Sequence, residues 1–360
     1  MTSTWRARLL LVFALFAGVL PGPASAQARA DVLSGRVIPA GGGDVRGMRV
    51  FARLGALADS AVVDGVGRFA IKLPGGSASD TLEVSVDAAE TAVRAFHPAR
   101  LTVARGDAAR EQEIVLVPLR WTIRGGRYAG SEVEVPLARA FAAPAPCAGC
   151  TGFFRAASAR PGAGRTWLAG WPAERFPLRV AFDREWSGET VTARDSVVFW
   201  READELERAL GADVFRPANF ADTAPRENGG PDDVILVWLD PDMHGIRGLG
   251  TAVSDGHEIG YGDLRLSRGA LRDPATSPGL VAHELMHTLG FGHTCAWRSV
   301  LSDVRRCPEL RAPTATEEDV AYVELAAEVR ALVRQRGGRW ALEAALAAMD
   351  APGERGLAAR

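Results

Sequence analysis

The spacing of apolar positions changes character along the chain. Residues 9 to 20, LLLVFALFAGVL, form an unbroken apolar block behind Arg6 and Arg8. Between 31 and 118 short apolar runs recur at 32–38, 48–54, 69–73, 82–86 and 114–117. Gly41-Gly42-Gly43, Asp64-Gly65 and Pro74-Gly75-Gly76 punctuate them, and no helical period shows. Short strands divided by turn residues predict a β-sandwich of about 90 residues. The stretch 119–174 mixes loop-like runs such as AFAAPAPCAGC with Trp121, Phe153, Phe154, Trp167 and Trp171. That is too apolar for free linker, so it is expected to be a connecting segment draped on the next domain.

From 175 the pattern is mixed. Leu178, Val180 and Phe182 alternate, as in a half-buried strand. Thr192 and Asp195 make a capping box with Asp in place of Glu. Val197, Val198, Trp200, Leu206 and Leu210 then form one broad helical face that Gly211 can end. The run VILVWL, 234–239, is continuously apolar and predicts a buried strand. Residues 258–266 predict an edge strand to which an extended peptide can add. Ser277-Pro278 predicts the start of a helix. Thr316 and Asp319 predict the cap of a last helix to about Arg336.

Composition narrows the setting. The 360 residues are 47% hydrophobic and 24% charged, with net charge −2, which removes the electrostatic footprint of a nucleic-acid binder. The apolar block is too short to span a bilayer, and Ala24-Ser25-Ala26 fits a small-x-small cleavage site. Residues 1–26 therefore read as a signal peptide, with no membrane span in the mature chain and a secreted or periplasmic destination. Four cysteines in an exported chain favour disulfides. Of three pairings, Cys295 with Cys307 is preferred, because it would staple the loop after the histidines. Cys147 and Cys150 then form a local CAGC pair.

The chemistry concentrates in VAHELMHTLGFGHTC, 281–295, which holds three of six histidines. His283 and His287 lie four apart, on one helical face, able to share an ion. Gly290 can take positive φ, stop the helix and let the loop deliver His293 as a third ligand. Three neutral imidazoles leave a tetrahedral Zn2+ one open position, the catalytic arrangement. Glu284, beside the metal without ligating it, is placed to be the general base.

HELMHTLGFGH resembles the metzincin zinc-peptidase signature, with the matrixin and astacin-like groups nearest. The order of elements across 175–335 and TATEEDVAYVEL are similar to that family too. The resemblance implies that His283, His287 and His293 are zinc ligands, Glu284 the catalytic base, and a peptide or protein the substrate. It also expects a methionine turn. Ser299-Val300-Leu301-Ser302 resembles that turn with Leu301 in the methionine place, a swap of similar volume that costs under ~1.5 kcal/mol. SGRVIPAGGGDVRGMRVFA and DSAVVDGVGRFAIKLP resemble the carboxypeptidase regulatory-like sandwich, an accessory module. The expected fold is thus multidomain: an N-terminal all-β sandwich, then an α+β zincin-like (metzincin) domain over 175–349 with a mixed twisted sheet and active-site helix.

Further candidates stand beside this one. Asp240, Asp242, His244, His257 and Asp263 are candidates for a second, structural metal. Tyr322 and His97 read as packing residues. Two other functions stay open: a catalytically degenerate metalloprotease-fold binding protein, and a zinc hydrolase of non-peptide amides. The sequence gives no oligomeric state.

Overall fold

The computed structural model describes residues 32–73, 75–86, 96–141, 152–154, 156–159, 166–167, 169–182, 191–219, 233–241, 243–255, 258–273, 275 and 277–335. The signal-peptide reading, the Cys147–Cys150 pair, His257, Asp242 and residues 336–349 lie outside these. The chain is mixed α/β, with many strands in several sheets and few helices.

Seven strands come first: β1 (Val32–Pro39), β2 (Arg49–Leu54), β3 (Leu57–Val62), β4 (Arg68–Lys72), β5 (Thr81–Val86), β6 (Ala99–Ala104) and β7 (Gln112–Leu116). They form two sheets, β4-β1-β7 and β3-β2-β5-β6. Alternate side chains from both sheets, among them Leu33, Val37, Val50, Ile71, Val84 and Leu101, meet in one buried core. Five of these strands match the apolar runs of the sequence. The other two are β3, which is largely exposed, and β6, whose Ala99, Leu101 and Val103 alternate inward.

The segment 119–174 does more than connect. It holds β8 (Arg120–Thr122), β9 (Glu132–Glu134), helix α1 (Leu137–Phe141), β10 (Ala156–Ala159) and β11 (Thr166–Trp167). Trp121, Phe153, Phe154 and Trp171 are buried in the larger core of the chain. Val115 of β7, with Ala40 and Val117 just past the ends of β1 and β7, enters that same core, so apolar packing runs continuously from one part to the other.

The second half contains β12 (Leu178–Phe182), α2 (Ala193–Leu210), β13 (Phe215–Pro217), β14 (Val234–Leu239), β15 (Gly248–Asp255), β16 (Glu258–Leu266), α3 (Arg268–Arg272), α4 (Leu280–Thr288) and α5 (Glu317–Gln335). The sheet runs β11-β10-β15-β16-β14-β12-β13. β14 lies between two parallel neighbours, which explains its unbroken apolar run.

Two expectations are corrected here. Residues 258–266 form β16, an interior strand paired with β14 and β15, not an edge. The strand nearer the border is β15, which β10 meets only at Val253 and Ser254. Among the described residues, positions 248–252 have no strand on that side. Second, α4 does not start at Ser277-Pro278. Those residues make a turn, and the N-cap is Gly279 at φ 72°, a left-handed conformation that Ser or Pro would not replace.

Candidate metal centre

α4 is nine residues long and buried along its whole length. A helix this short is marginal alone, so its neighbours must hold it. At its start the Glu202 carboxylate on α2 accepts from the Val281 N–H at 2.9 Å. Beneath it, β15 comes so close that a Cβ on Gly250 would stand 2.2 Å from the Glu284 carbonyl oxygen and 2.8 Å from His287 Cβ. Only glycine allows that approach. At its end Gly290 adopts φ 97°, turning the chain as the sequence predicted.

That turn brings the three predicted ligands together. The Nε2 atoms of His283, His287 and His293 form a triangle with all three sides 3.1 Å. His283 Nδ1 lies 2.6 Å from the Val300 carbonyl and His287 Nδ1 2.8 Å from the Phe291 carbonyl. A carbonyl only accepts, so each Nδ1 carries the proton and each Nε2 is left with a bare lone pair. Two lone pairs facing each other at that distance repel unless a cation lies between them. Tetrahedral zinc, with Zn–N bonds of about 2.0–2.1 Å, sets ligand nitrogens about 3.3–3.4 Å apart. The donor set therefore fits a metal ion, and it is the only cluster of its kind among the described residues.

Electrostatics point the same way. Burial, then the neighbouring His293 and Arg311, hold the His283 imidazole down to about 3, so it is neutral and able to ligate. Burial pushes the Glu284 carboxyl up to about 8, opposed by the Gly250 N–H and the Arg311 charge. A dication at the three nitrogens would add to that opposition.

Below His283 lies the turn containing Leu301, which is fully buried. The Thr294 N–H donates to the Leu301 carbonyl at 3.1 Å. Asp319 on α5 organises the turn from the far side. Its carboxylate accepts from Trp297 Nε1 at 3.0 Å, Ser299 Oγ at 2.5 Å, Val300 N at 3.0 Å and Thr316 N at 3.0 Å. Burial pushes the Asp319 carboxyl up, and these four donors pull it back. Val300 thus links Asp319 to His283. The Cys295–Cys307 disulfide closes the loop around this turn, with Cα atoms 5.8 Å apart. A closure of this length contributes on the order of 2–3 kcal/mol by restricting the unfolded chain.

No protein-family model, curated protein or solved structure matches this chain.

Among the described residues, the remaining candidates do not join the site. Asp263 is committed to Trp238 Nε1 and to Arg265, and Arg265 stacks on Trp238. Tyr322 is buried, its hydroxyl donating to the Pro136 carbonyl, and His97 Nε2 is 2.8 Å from the Val135 carbonyl. Three residues that shape the site carried no signal in the sequence: Glu202, Gly250 and Arg311. Asp319 was legible as a cap but not as the support of Val300.

Proposed function

We propose that this chain is an exported zinc-dependent endopeptidase of the metzincin type, carrying an N-terminal carboxypeptidase regulatory-like sandwich. The observation behind the reading is the triangle of three Nε2 atoms, 3.1 Å on each side, with Glu284 next in sequence to one of them. His283, His287 and His293 would hold the zinc. When bound, zinc would lower the pKa of its water and polarise the substrate carbonyl.

The chain's own groups do the rest. The carbonyls of Val300 and Phe291 keep two imidazoles in the ligating tautomer. Glu284 takes a proton from the attacking water and delivers it to the leaving amine. Residues 248–252 of β15, which among the described residues have no strand paired on the β10 side, suit an extended peptide added as a further strand. Leu301, which the resemblance sets in the methionine place, has a buried side chain. A disulfide beside the site agrees with an oxidising, extracytoplasmic setting.

The test is Glu284→Gln. It should keep its metal and lose at least a hundredfold in chelator-sensitive peptide cleavage, the usual size of general acid–base catalysis. Wild-type rates in that variant, or cleavage confined to non-peptide amides, would refute the reading.

A further inference from the structure

The turn that follows α4 has two duties. Its Phe291 carbonyl accepts from His287 Nδ1 at 2.8 Å, and two residues later it delivers His293. Segments distant in sequence hold this turn from outside. The Phe153 carbonyl accepts from the Gly292 N–H at 2.8 Å, and Trp171 Nε1 donates to the Thr288 carbonyl at 2.8 Å. The Ala169 carbonyl presses on Gly290, where a Cβ would stand 2.8 Å from its oxygen.

Helix α5 reaches the same turn through one side chain. Arg330 Nη2 donates to that Ala169 carbonyl at 2.6 Å. Its Cζ lies 5.5 Å from the centre of the Phe291 ring, within cation–π range. Its guanidinium also fills the space that a side chain on Gly170 would need. Gly170 is tied to the sheet in turn, its carbonyl accepting from the Ile259 N–H of β16 at 2.9 Å. One planar cation thus touches the segment that backs Gly290 and the ring of the residue whose carbonyl orients His287. A guanidinium suits this place because it can donate at its edge and stack on its face at once.

Asp319 and Arg330 are eleven residues apart, about three helical turns, so they leave α5 on the same face. Asp319 accepts from the N–H of Val300, whose carbonyl orients His283. Arg330 stacks on Phe291, whose carbonyl orients His287. The opposite face has other work. Glu324 accepts from Trp121 Nε1 at 2.8 Å and from the Arg124 N–H at 3.0 Å, and Glu328 pairs with Arg124 at 2.9 Å.

We propose that Arg330 is a positioning residue of the metal centre, fixing the turn 290–292 that orients His287 and delivers His293. The proposal rests on the three histidines holding a metal ion, and not on what that ion then helps to cut.

The experiment uses the full chain with zinc alone, then with Co2+ in its place. Zinc affinity is measured by competition with a chromophoric chelator. Arg330→Met should weaken it by on the order of tenfold to a hundredfold, the usual size for a group that orients a ligand from behind. Arg330→Lys, which keeps the charge and loses the fork, should fall between the two. Co2+ bound to Arg330→Met should show altered visible absorption bands, because the imidazoles no longer meet the ion at the same angles. Glu324→Ala is the control for plain stability. It loosens α5 on the opposite face, so it should lower the melting temperature while leaving zinc affinity within about twofold and the Co2+ bands in place. Where Arg330→Met does not fold, Phe291→Leu decides: it removes the ring, keeps the carbonyl, and should weaken zinc binding by about tenfold. Unchanged zinc affinity and Co2+ bands in these variants overturn the proposal. So do losses of zinc affinity in Arg330→Met and Glu324→Ala that follow melting temperature alone. An unsubstituted chain that takes up no zinc removes the metal reading itself, and this inference with it.

Discussion

Helices α2 and α4 touch each other and are made in opposite ways. α2 carries its own boundaries. The Thr192 hydroxyl accepts from the Asp195 N–H, the Asp195 carboxylate accepts from the Thr192 N–H, and Gly211 ends the helix in a left-handed turn at φ 71°. One face is buried through Phe199, Ala203 and Leu206, while Val197 on the other is exposed. α4 has no side-chain cap of its own and no exposed face. Its first turn is satisfied by Glu202 from α2, and its approach to the sheet depends on Gly250 in β15. The helix that bears two of the three candidate ligands is thus placed by its surroundings, and the geometry of the histidine cluster inherits their rigidity.

The sharpest way to break this contrast is Gly250→Val. Its side chain must enter space already filled by the α4 backbone, so the expected loss is more than ~3 kcal/mol, together with metal binding. A thermal melt and a zinc assay on the full chain check this. Unchanged values for both would mean that α4 does not depend on β15.

Glu202→Ala comes next. Removing the acceptor should cost about 1–3 kcal/mol and weaken zinc affinity, because the unpaired N–H lies two residues before His283. Thr192→Ala is its partner experiment. It should cost about 1 kcal/mol and leave zinc affinity unchanged. Equal effects of the two on zinc affinity would erase the distinction between the helices.

The smallest expected effect is in pH dependence. His283 is held down to about 3, against an ordinary 6.5. The unfolded chain therefore binds that proton first, and the metal-free fold loses stability as pH falls from about 6.5 toward 3. Glu284 is pushed up to about 8, against an ordinary 4.5. Here the folded state keeps a proton that the unfolded state releases, so stability falls as pH rises from about 4.5 toward 8. Melts of the chelated chain should therefore be highest near pH 5–6. Glu284→Gln should remove the alkaline decline and leave the acid one. A decline of the same size in both proteins above pH 6 would exclude Glu284 as its source.

What could be read from the sequence follows the same division. The His283, His287, Gly290 and His293 spacing is local, and so are the box of Thr192 and Asp195, the apolar run of β14 and the Cys295–Cys307 staple. Each is fixed by residues within about a dozen positions. The contributions of Glu202 and Arg311 are not local. Glu202 precedes the N–H that it caps by 79 positions, a pairing only the fold creates. The same cause overturned the reading of β16 as an edge strand. Both β15 and β16 are glycine-rich and short in apolar residues, and which one lies nearer the border depends on where β10 arrives. Strand β3 escaped notice because its exposed face gives no alternation. Gly279 was hidden behind Ser277-Pro278, which looks like a better helix start until the buried turn is seen.

The central claim is that three histidines hold one zinc ion. X-ray absorption at the zinc edge, with metal content measured on the purified full chain, addresses it directly. The expected result is about one zinc per chain bound by three imidazole nitrogens plus an oxygen ligand, with Zn–N distances of about 2.0–2.1 Å and no sulfur. A chain that purifies without metal and takes up none, or a zinc ion with sulfur among its ligands, would contradict the account.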